Sequence, residues 1–186
     1  VFQRTPNFSV PARNQPLDPG YVREVKANYR ALRARAKAAF AGIDFSPNPN
    51  CAIEVAEDER RREFARRWAY GGVSFMGSFS DLLFNRASNE TAAAFVREKI
   101  AETVRDPKLA EALSPHEIIG CKRLCVDTDY YATFNRPNVT LVDVRDTPIE
   151  RITATGVQAN GRHYAIDALV LATGFDAMTG ALDRID

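Results

Sequence analysis

The chain has 186 residues, of which 45% are hydrophobic, and its formal net charge at pH 7 is +1. That length suffices for one domain with a sizeable core, and the balanced charge gives no reason to expect a nucleic-acid or membrane-surface partner. We expect neither a signal peptide nor a bilayer-spanning run, which needs roughly 18–20 apolar residues. Three cysteines without repeated spacing and two distant histidines argue against disulfides and a metal site, so a cytoplasmic location is expected.

The N-terminal part of the chain predicts a strand end, a linker and a helix. Residues Val1–Gln3 have the composition of a strand, and Pro6 prevents a helix directly after it. A proline-rich linker is expected over residues 11–20. Residues 18–40 then show a helical period, with a capping aspartate and a proline at the start. The apolar residues at helical spacing are Tyr21, Val22, Val25, Tyr29 and Leu32.

The middle of the chain predicts a series of helices, so that residues 18–113 are mostly helical. The predicted helices after the first are Glu57–Tyr70, Gly77–Asn85, Asn89–Val104 and Pro107–Leu113. The pair Gly71-Gly72 breaks the first of these, whose arginines interleave with acids and therefore favour a solvated face with i,i+4 ion pairs over a nucleic-acid site. The core positions expected in the third are Ala94, Phe95, Ile100 and Val104.

The last third of the chain changes to the period of strands. A short helix is predicted within Asp127–Asn135, and the strands are predicted at Val139–Val144, Ile149–Thr155, Val157–Ala159 and Arg162–Ile166. The pair Asn160-Gly161 is a strong two-residue hairpin signal. The run Ala168–Ala172 does not alternate, which is typical of a strand buried on both faces of a parallel sheet. Ligands collect beyond the ends of such strands, so Thr173 and Gly174 are expected at a cofactor crevice.

Two basic positions are candidates for binding anions. If Val1–Gln3 ends the second strand of a nucleotide-binding unit, Arg4 is the tip residue that suits the 2′-phosphate of NADP, with the Thr5 hydroxyl as a second donor. Lys122 and Arg123 are adjacent, and neighbours on extended backbone point to opposite sides, so the pair could serve two anionic centres. Solvated surface cations remain the alternative for both positions.

The glycine spacing excludes one common feature of dinucleotide sites. Among the ten glycines, no pair is spaced i, i+2, so the chain lacks the Gly-x-Gly turn that lets backbone approach a pyrophosphate. We therefore expect a fragment that by itself binds neither FAD nor NADPH tightly.

Three stretches together resemble a known family. They are Gln3-Arg4-Thr5-Pro6, the segment from Cys121 to Val139 with its Lys-Arg pair and Asp-Thr-Asp-Tyr-Tyr run, and Leu171–Asp176. This combination resembles the Baeyer–Villiger monooxygenases, flavoproteins that oxidise ketones to esters or lactones with NADPH and O₂. The resemblance implies FAD and NADP as cofactors, a ketone and O₂ as substrates, and a C4a-peroxyflavin as the oxygenating species.

The resemblance also assigns roles to individual residues. It makes Arg123 the catalytic arginine, which also contacts the cofactor, and gives the NADP 2′-phosphate to Arg4, Thr5 and Lys122. Thr173 and Gly174 are implied at the cofactor. The residues implied in or beside the substrate pocket are Leu124, Met76 and Val73, although ordinary core contacts remain open for the last two.

The implied fold class is α/β, part of a Rossmann-like NADP-binding domain with a mostly helical insertion, in an incomplete FAD/NADP two-domain flavoprotein. The expected divisions are 1–17, the end of an NADP-domain strand and a linker; 18–113, the helical insertion; 114–172, the remaining NADP-binding domain; and 173–186, the return toward the FAD-binding domain. The expected partner is the missing FAD-domain portion of the same enzyme. Two alternatives stay open: a related flavin monooxygenase that oxidises amines or sulfides, and a non-catalytic helical interaction module.

Overall fold

The structure is a computed structural model, and it describes residues 1–39, 42, 47–172, 174 and 180. Its contacts divide the chain into two units, Val1–Val142 and Asp143–Asp186. The domain divisions expected from the sequence are functional assignments within a larger enzyme, and they stay a prediction. Among the described residues, no helix combines the length and the apolar character that crossing a bilayer requires.

Within the first unit, residues 18–113 are mostly helical, as the sequence predicts. Its helices are α1 (Pro19–Ala27), α2 (Tyr29–Ala38), α3 (Glu57–Tyr70), a 3₁₀ helix (Gly72–Gly77), α4 (Arg86–Thr103), α5 (Pro107–Leu113) and α6 (Tyr130–Thr133). The strands of the chain are β1 (Phe2–Gln3), β2 (Ser9–Pro11), β3 (Cys125–Asp127), β4 (Val142–Asp143), β5 (Arg151–Thr153), β6 (Gly156–Ala159) and β7 (Arg162–Ala165).

Helix α1 starts where the sequence predicts. The Asp18 carboxylate accepts a hydrogen bond from the Tyr21 amide at 2.9 Å, and Pro19 occupies the first turn, where its missing N–H costs nothing. Neither α1 nor α2 contains a buried residue. The periodic apolar residues of this region therefore form a stripe that the described part of the first unit leaves largely uncovered.

Helix α3 matches the predicted bounds and the predicted role of its charges. Arg62 pairs with Asp58 four residues earlier, and Glu63 accepts from both Arg66 and Arg67. The opposite side of the helix buries Phe64 in the core. Its ring lies 5.4–5.6 Å, centroid to centroid, from three other aromatic rings, those of Phe75, Phe79 and Phe95. Most of the interleaved charges thus lie on a solvated face, whereas Arg67 is buried and departs from that expectation; the aromatic cluster holds α3, the 3₁₀ helix and α4 together.

The helix predicted at Gly77–Asn85 is wrong. The chain there forms turns and bends, because Asp81 bonds outside any helical ladder: its carboxylate accepts from the Ala52 amide and from the Ser88 hydroxyl. Asn85 is the N-cap of α4, with its side chain accepting from the Ala87 and Ser88 amides, so α4 begins earlier than predicted.

The predicted core of α4 is mostly confirmed. Phe95, Ile100 and Val104 are buried, but Ala94 is exposed, so that expectation is wrong. The predicted set of buried positions on α4 was thus rotated slightly away from the side that faces the core. The further apolar residues of α4 that the structure buries are Ala92, Ala93 and Val96.

A parallel strand pair lies beside the helices. Strand β2 pairs with β3 in the register Ser9↔Cys125, Val10↔Val126 and Pro11↔Asp127. Strand β1 is joined to the chain beyond α6 by a bond of 2.8 Å from the Val142 amide to the Val1 carbonyl. The predicted helix within Asp127–Asn135 is confirmed at Tyr130–Thr133, whereas the strand predicted at Val139–Val144 shortens to β4.

The second unit contains an antiparallel sheet in the order β5-β6-β7. Asn160 and Gly161 join β6 to β7 with positive φ angles of 52° and 67°, the geometry that the two-residue hairpin signal predicts. The strand predicted at Ala168–Ala172 is wrong for the described structure, where this run is irregular and exposed. A strand buried on both faces needs neighbouring strands, and no described strand pairs with this run.

Candidate functional site

The two basic segments singled out by the sequence enter neighbouring strands. Arg4 directly follows β1 and precedes β2, and Lys122 and Arg123 precede β3. Because β2 and β3 are parallel, the segments that lead into them lie at the same end of the pair. The fold thus brings the Gln3–Pro6 turn and the Cys121–Leu124 segment side by side.

Asn7 ties these two segments together. Its Nδ2 donates to the main-chain oxygen of Arg123 at 3.2 Å and lies 3.4 Å from the Cys125 Sγ. The ladder continues with the Cys125 amide, which donates to the Phe8 carbonyl at 3.3 Å. The sequence analysis missed Asn7, because nothing in its local sequence shows that its partner lies 116 residues further along the chain.

A sharp turn precedes the Lys-Arg pair. The Cys121 amide donates to the Ile118 carbonyl at 3.2 Å, and Gly120 has a φ of +88°, which L-residues with a side chain rarely adopt. A Cβ on Gly120 would lie 2.9 Å from the Leu83 Cδ2 and 3.2 Å from the Met76 Cε. The turn therefore packs against the region of the 3₁₀ helix and redirects the chain toward β3.

The charged side chains of the site differ in how they are paired. Arg4, Thr5 and Arg123 are exposed, and no described residue makes a hydrogen bond or ion pair with any of the three side chains. The Lys122 ammonium is half-exposed and lies 2.8 Å from a Glu117 carboxylate oxygen. This contrasts with α3, where most arginines bond to a carboxylate or carbonyl, and it leaves a cluster of available cationic donors.

The three residues expected near a substrate pocket differ in how far they are buried. Met76 and Leu124 are partly buried and pack against the core, whereas Val73, in the same 3₁₀ helix as Met76, is 40% exposed. Met76 is adjacent to the Gly120 turn. Their assignment to a ketone pocket stays a prediction. Thr173 lies outside the described residues, and Gly174 has a φ of +85°.

A cavity of about 1090 Å³ opens at the other end of the β2–β3 pair. Its walls come from residues 11–18, the end of α3 and the residues after β3, and none of the described residues expected at the cofactor or substrate lines it. Tyr131 closes one side, where its hydroxyl accepts from the Ser9 amide at 3.3 Å. Burial raises the pKa of Tyr131, so its phenol stays protonated at neutral pH.

The donor set fits one part of a dinucleotide and not another. Exposed guanidinium, ammonium and hydroxyl groups without competing carboxylates, apart from Glu117, match a phosphate monoester such as the NADP 2′-phosphate. The glycine spacing supplies no pyrophosphate-binding turn in this chain. Among the described residues, no group of three or more His, Cys, Asp or Glu side chains could hold a metal ion.

Comparison with proteins of known activity returns monooxygenases over the whole chain. It is 38% identical over 188 residues to 2-oxo-Delta(3)-4,5,5-trimethylcyclopentenylacetyl-CoA monooxygenase of Pseudomonas putida, a match of 100% of this chain and 34% of the relative. It is 41% identical to cyclohexanone 1,2-monooxygenase of Acinetobacter sp., with 100% and 35% covered. A Baeyer–Villiger monooxygenase of Pseudooceanicola batsensis is 35% identical, with 100% and 34% covered. No model of a protein family matches the chain.

Solved structures agree with the sequence relatives. Oxidised steroid monooxygenase bound to NADP has a TM-score of 0.91 and 49% identity, with 98% of this chain and 35% of that chain covered. OTEMO in complex with FAD and NADP has a TM-score of 0.94 and 38% identity, with 100% and 35% covered. The fold is therefore the α/β fold of these flavoproteins, and the chain spans about a third of the length of the proteins that it matches. Along its whole length, the chain is therefore homologous in sequence and in fold to one segment of Baeyer–Villiger and related monooxygenases.

Proposed function

We propose that this chain forms the NADP-binding part of an NADPH- and FAD-dependent monooxygenase that inserts one oxygen atom of O₂ next to a ketone carbonyl. The overall reaction consumes ketone, O₂, NADPH and a proton, and it yields an ester or lactone, water and NADP⁺. The observation that carries the proposal is Arg123: its side chain has no described partner, and its backbone is held beside a second, phosphate-suited cation in a chain whose relatives are monooxygenases.

Arg4, Thr5 and Lys122 bind the 2′-phosphate of NADPH. Arg4 sits at the tip of β1, and its guanidinium supplies a rigid fork of donors to phosphate oxygens. The Thr5 hydroxyl adds a neutral donor, and Lys122 adds a point charge once it exchanges Glu117 for the phosphate. NADH lacks this phosphate, so the three residues favour NADPH.

Arg123 holds negative charge at the reacting centre. The backbone bends at Lys122 and the strand begins only at Cys125, so the proposal rests on the adjacency of the two cations: one segment serves both the phosphate and the reaction site. The Arg123 guanidinium, a rigid fork of N–H donors, stabilises the charge that develops on the ketone oxygen during insertion. Thr173 and Gly174 are the residues of this chain proposed beside the cofactor, where FAD, when bound, would supply the redox chemistry that links NADPH to O₂.

Leu124, Met76 and Val73 line the ketone pocket in this proposal. Met76 is supported by its position against the Gly120 turn, Leu124 by its place next to Arg123 in sequence, and Val73 by its place in the same 3₁₀ helix as Met76. The remaining portion of the enzyme, which carries FAD, is the proposed partner. A cytoplasmic location, based on three cysteines without disulfides, stays a prediction.

The test is product analysis with the full-length protein that contains this chain. Supplied with NADPH, ¹⁸O₂ and a cyclic ketone, it should form a lactone with one ¹⁸O in the ring position and an unlabelled carbonyl oxygen. Consumption of NADPH without labelled lactone for any ketone of a cyclic and aryl panel contradicts the proposal.

The same assay includes the alternative of nitrogen oxidation. Phenazine N-monooxygenase PhzNO1 of Lysobacter antibioticus is 36% identical to the chain, so a nitrogen heteroaromatic compound belongs in the panel. Formation of a labelled N-oxide without any lactone would show that the enzyme oxidises nitrogen and not ketones. The relatives as a group do not favour this alternative.

A further inference from the structure

A buried asparagine on α4 reaches the segment that carries the Lys-Arg pair. Asn89 is 3% exposed, in the first turns of α4. Its Nδ2 donates to the carbonyl oxygens of Leu82 and Ile119, each at 2.8 Å, and its Oδ1 accepts from the Ile119 amide at 3.1 Å. Its two donor hydrogens and its acceptor oxygen are therefore all used inside the protein.

The Asn89 side chain bonds to Ile119 in the way that the backbone of a neighbouring strand would. One side chain bonds to both the N–H and the C=O of the same residue, 30 positions further along the chain. A leucine at position 89 would fill the core but leave these two buried backbone groups unpaired. An aspartate would keep the acceptor and lose both donors. An asparagine is the residue that satisfies this backbone from within a helix.

The bonded residue begins the segment that ends at Arg123. Ile119 is followed by the Gly120 turn, and Asn7 holds the Arg123 carbonyl on the other side. Lys122 and Arg123 thus lie on a short span between two anchors, Asn89 before it and Asn7 after it. Their own exposed side chains do not fix this span, since only Lys122 has a described partner.

We propose that Asn89 is a positioning residue for Lys122 and Arg123: by hydrogen-bonding the Ile119 backbone, it fixes the Gly120 turn that directs the two cations. The functional part of this inference rests on the function proposed above, and the structural part does not. The expected consequence is that loss of the Asn89 amide frees the Ile119–Arg123 segment while the remaining core stays folded.

The experiment compares Asn89→Asp and Asn89→Ala with a matched control in the full-length protein. The control is Asn135→Ala, since Asn135 makes a similar clamp at the other end of α4: its Nδ2 donates to the Thr103 carbonyl at 2.8 Å, and its Oδ1 accepts from the Arg105 amide at 2.9 Å. Asn89→Asp is nearly isosteric, so it tests the lost donors if the alanine variant does not fold.

Hydrogen exchange followed by mass spectrometry gives the structural readout. In Asn89→Asp, the hydrogen-bonded amides of Ile119 and Cys121 should exchange about ten- to a hundredfold faster, because the bond to the Ile119 carbonyl is lost together with the bond to Leu82. In Asn135→Ala, exchange should rise near Thr103 and Arg105 and stay unchanged in the Ile119–Arg123 segment. Unchanged exchange of that segment in both Asn89 variants overturns the inference. So does a uniform rise throughout the core, because it indicates a purely structural role.

Kinetics give the functional readout. In Asn89→Asp the yield of ester per NADPH should fall, with hydrogen peroxide replacing ester, and KM for NADPH should rise. The Asn135 control should keep both values. If the segment opens and the yield and KM stay normal, Asn89 positions the segment but the role proposed for Arg123 and Lys122 is wrong.

Discussion

Replacing Arg4 by alanine tests how the chain recognises the 2′-phosphate. Arg4 is exposed and no described residue pairs with it, so its removal leaves no buried group unsatisfied. The free energy of unfolding should therefore change by less than about 0.5 kcal/mol. A charge-assisted hydrogen bond contributes about 1.5–3 kcal/mol, so kcat/KM for NADPH should fall about ten- to a hundredfold. The value for NADH should hardly change, because NADH has no group for Arg4 to bind.

Lys122, the second proposed phosphate ligand, refines this expectation. Lys122 is held by Glu117 in an exposed ion pair, and such pairs contribute about 0–1 kcal/mol. Glu117→Gln should therefore lower KM for NADPH by up to about fivefold, because Lys122 no longer has to leave a carboxylate in order to bind the phosphate. Arg4→Ala and Lys122→Ala share one phosphate, so their effects on NADPH should not be additive.

The assay is steady-state kinetics with both coenzymes on the full-length protein. Arg30→Ala is the matched control, since Arg30 is likewise exposed and has no described partner, but lies on α2. This control should leave kcat/KM unchanged for both coenzymes. Equal losses with NADPH and NADH in Arg4→Ala would refute the 2′-phosphate role.

Three further outcomes are expected. Gly120→Ala should destabilise the protein by about 1–2 kcal/mol in urea denaturation, because φ is +88° and the Leu83 contact can relax; an unchanged midpoint would contradict the turn geometry. The Glu63 carboxyl is desolvated, which raises its pKa, but hydrogen bonds from Arg66 and its neighbour outweigh this and lower the pKa. This stabilisation is present above the unfolded pKa of about 4.3 and is lost as the pH falls through the folded pKa. In Glu63→Gln, the free energy of unfolding should therefore decrease less steeply as the pH is lowered. Met76→Ala should shift ratios of kcat/KM between ketones by about tenfold or more, and unchanged ratios would remove Met76 from the pocket.

Local signals predicted the parts of the fold whose causes are local. Helix α3 has acids in its first turn and a glycine immediately after its end, and its bounds match the prediction. The turn Asn160-Gly161 needs two positive φ angles, which these two residue types tolerate, and the hairpin forms as predicted. In both cases the determining residues lie within the element itself.

The parts that sequence missed depend on distant partners. The turns at residues 77–85 form because Asp81 bonds to Ala52, 29 residues earlier in the chain. The run Ala168–Ala172 has the composition of a buried strand, but a strand forms only where another strand pairs with it. The hydrogen bonds from the Asn7 and Asn89 side chains to distant backbone groups were not predicted for the same reason. Asparagine is common in turns and caps, and its sequence context does not reveal a long-range backbone partner.

The basic segments were found by residue type, and the structure adds their arrangement. Sequence identified Arg4 from its position at a strand end, and Lys122 and Arg123 from their adjacency and from the family resemblance. It did not reveal that β2 and β3 are parallel neighbours, which brings both segments to one end of the pair. It also did not reveal that Lys122 is paired with Glu117 while Arg123 has no described partner.

The most direct test of the proposed function is the yield of ester per NADPH in Arg123→Ala, measured in the full-length protein with Arg136→Ala as the control. Arg136 is also exposed and has no described side-chain partner. Loss of a preorganised donor to a developing oxyanion costs about 10²–10³ in rate, so Arg123→Ala should form almost no ester while FAD remains bound. Arg123→Lys should recover little, because a point charge lacks the guanidinium fork. Near-normal ester formation in Arg123→Ala would contradict the role of Arg123 and the function proposed from it.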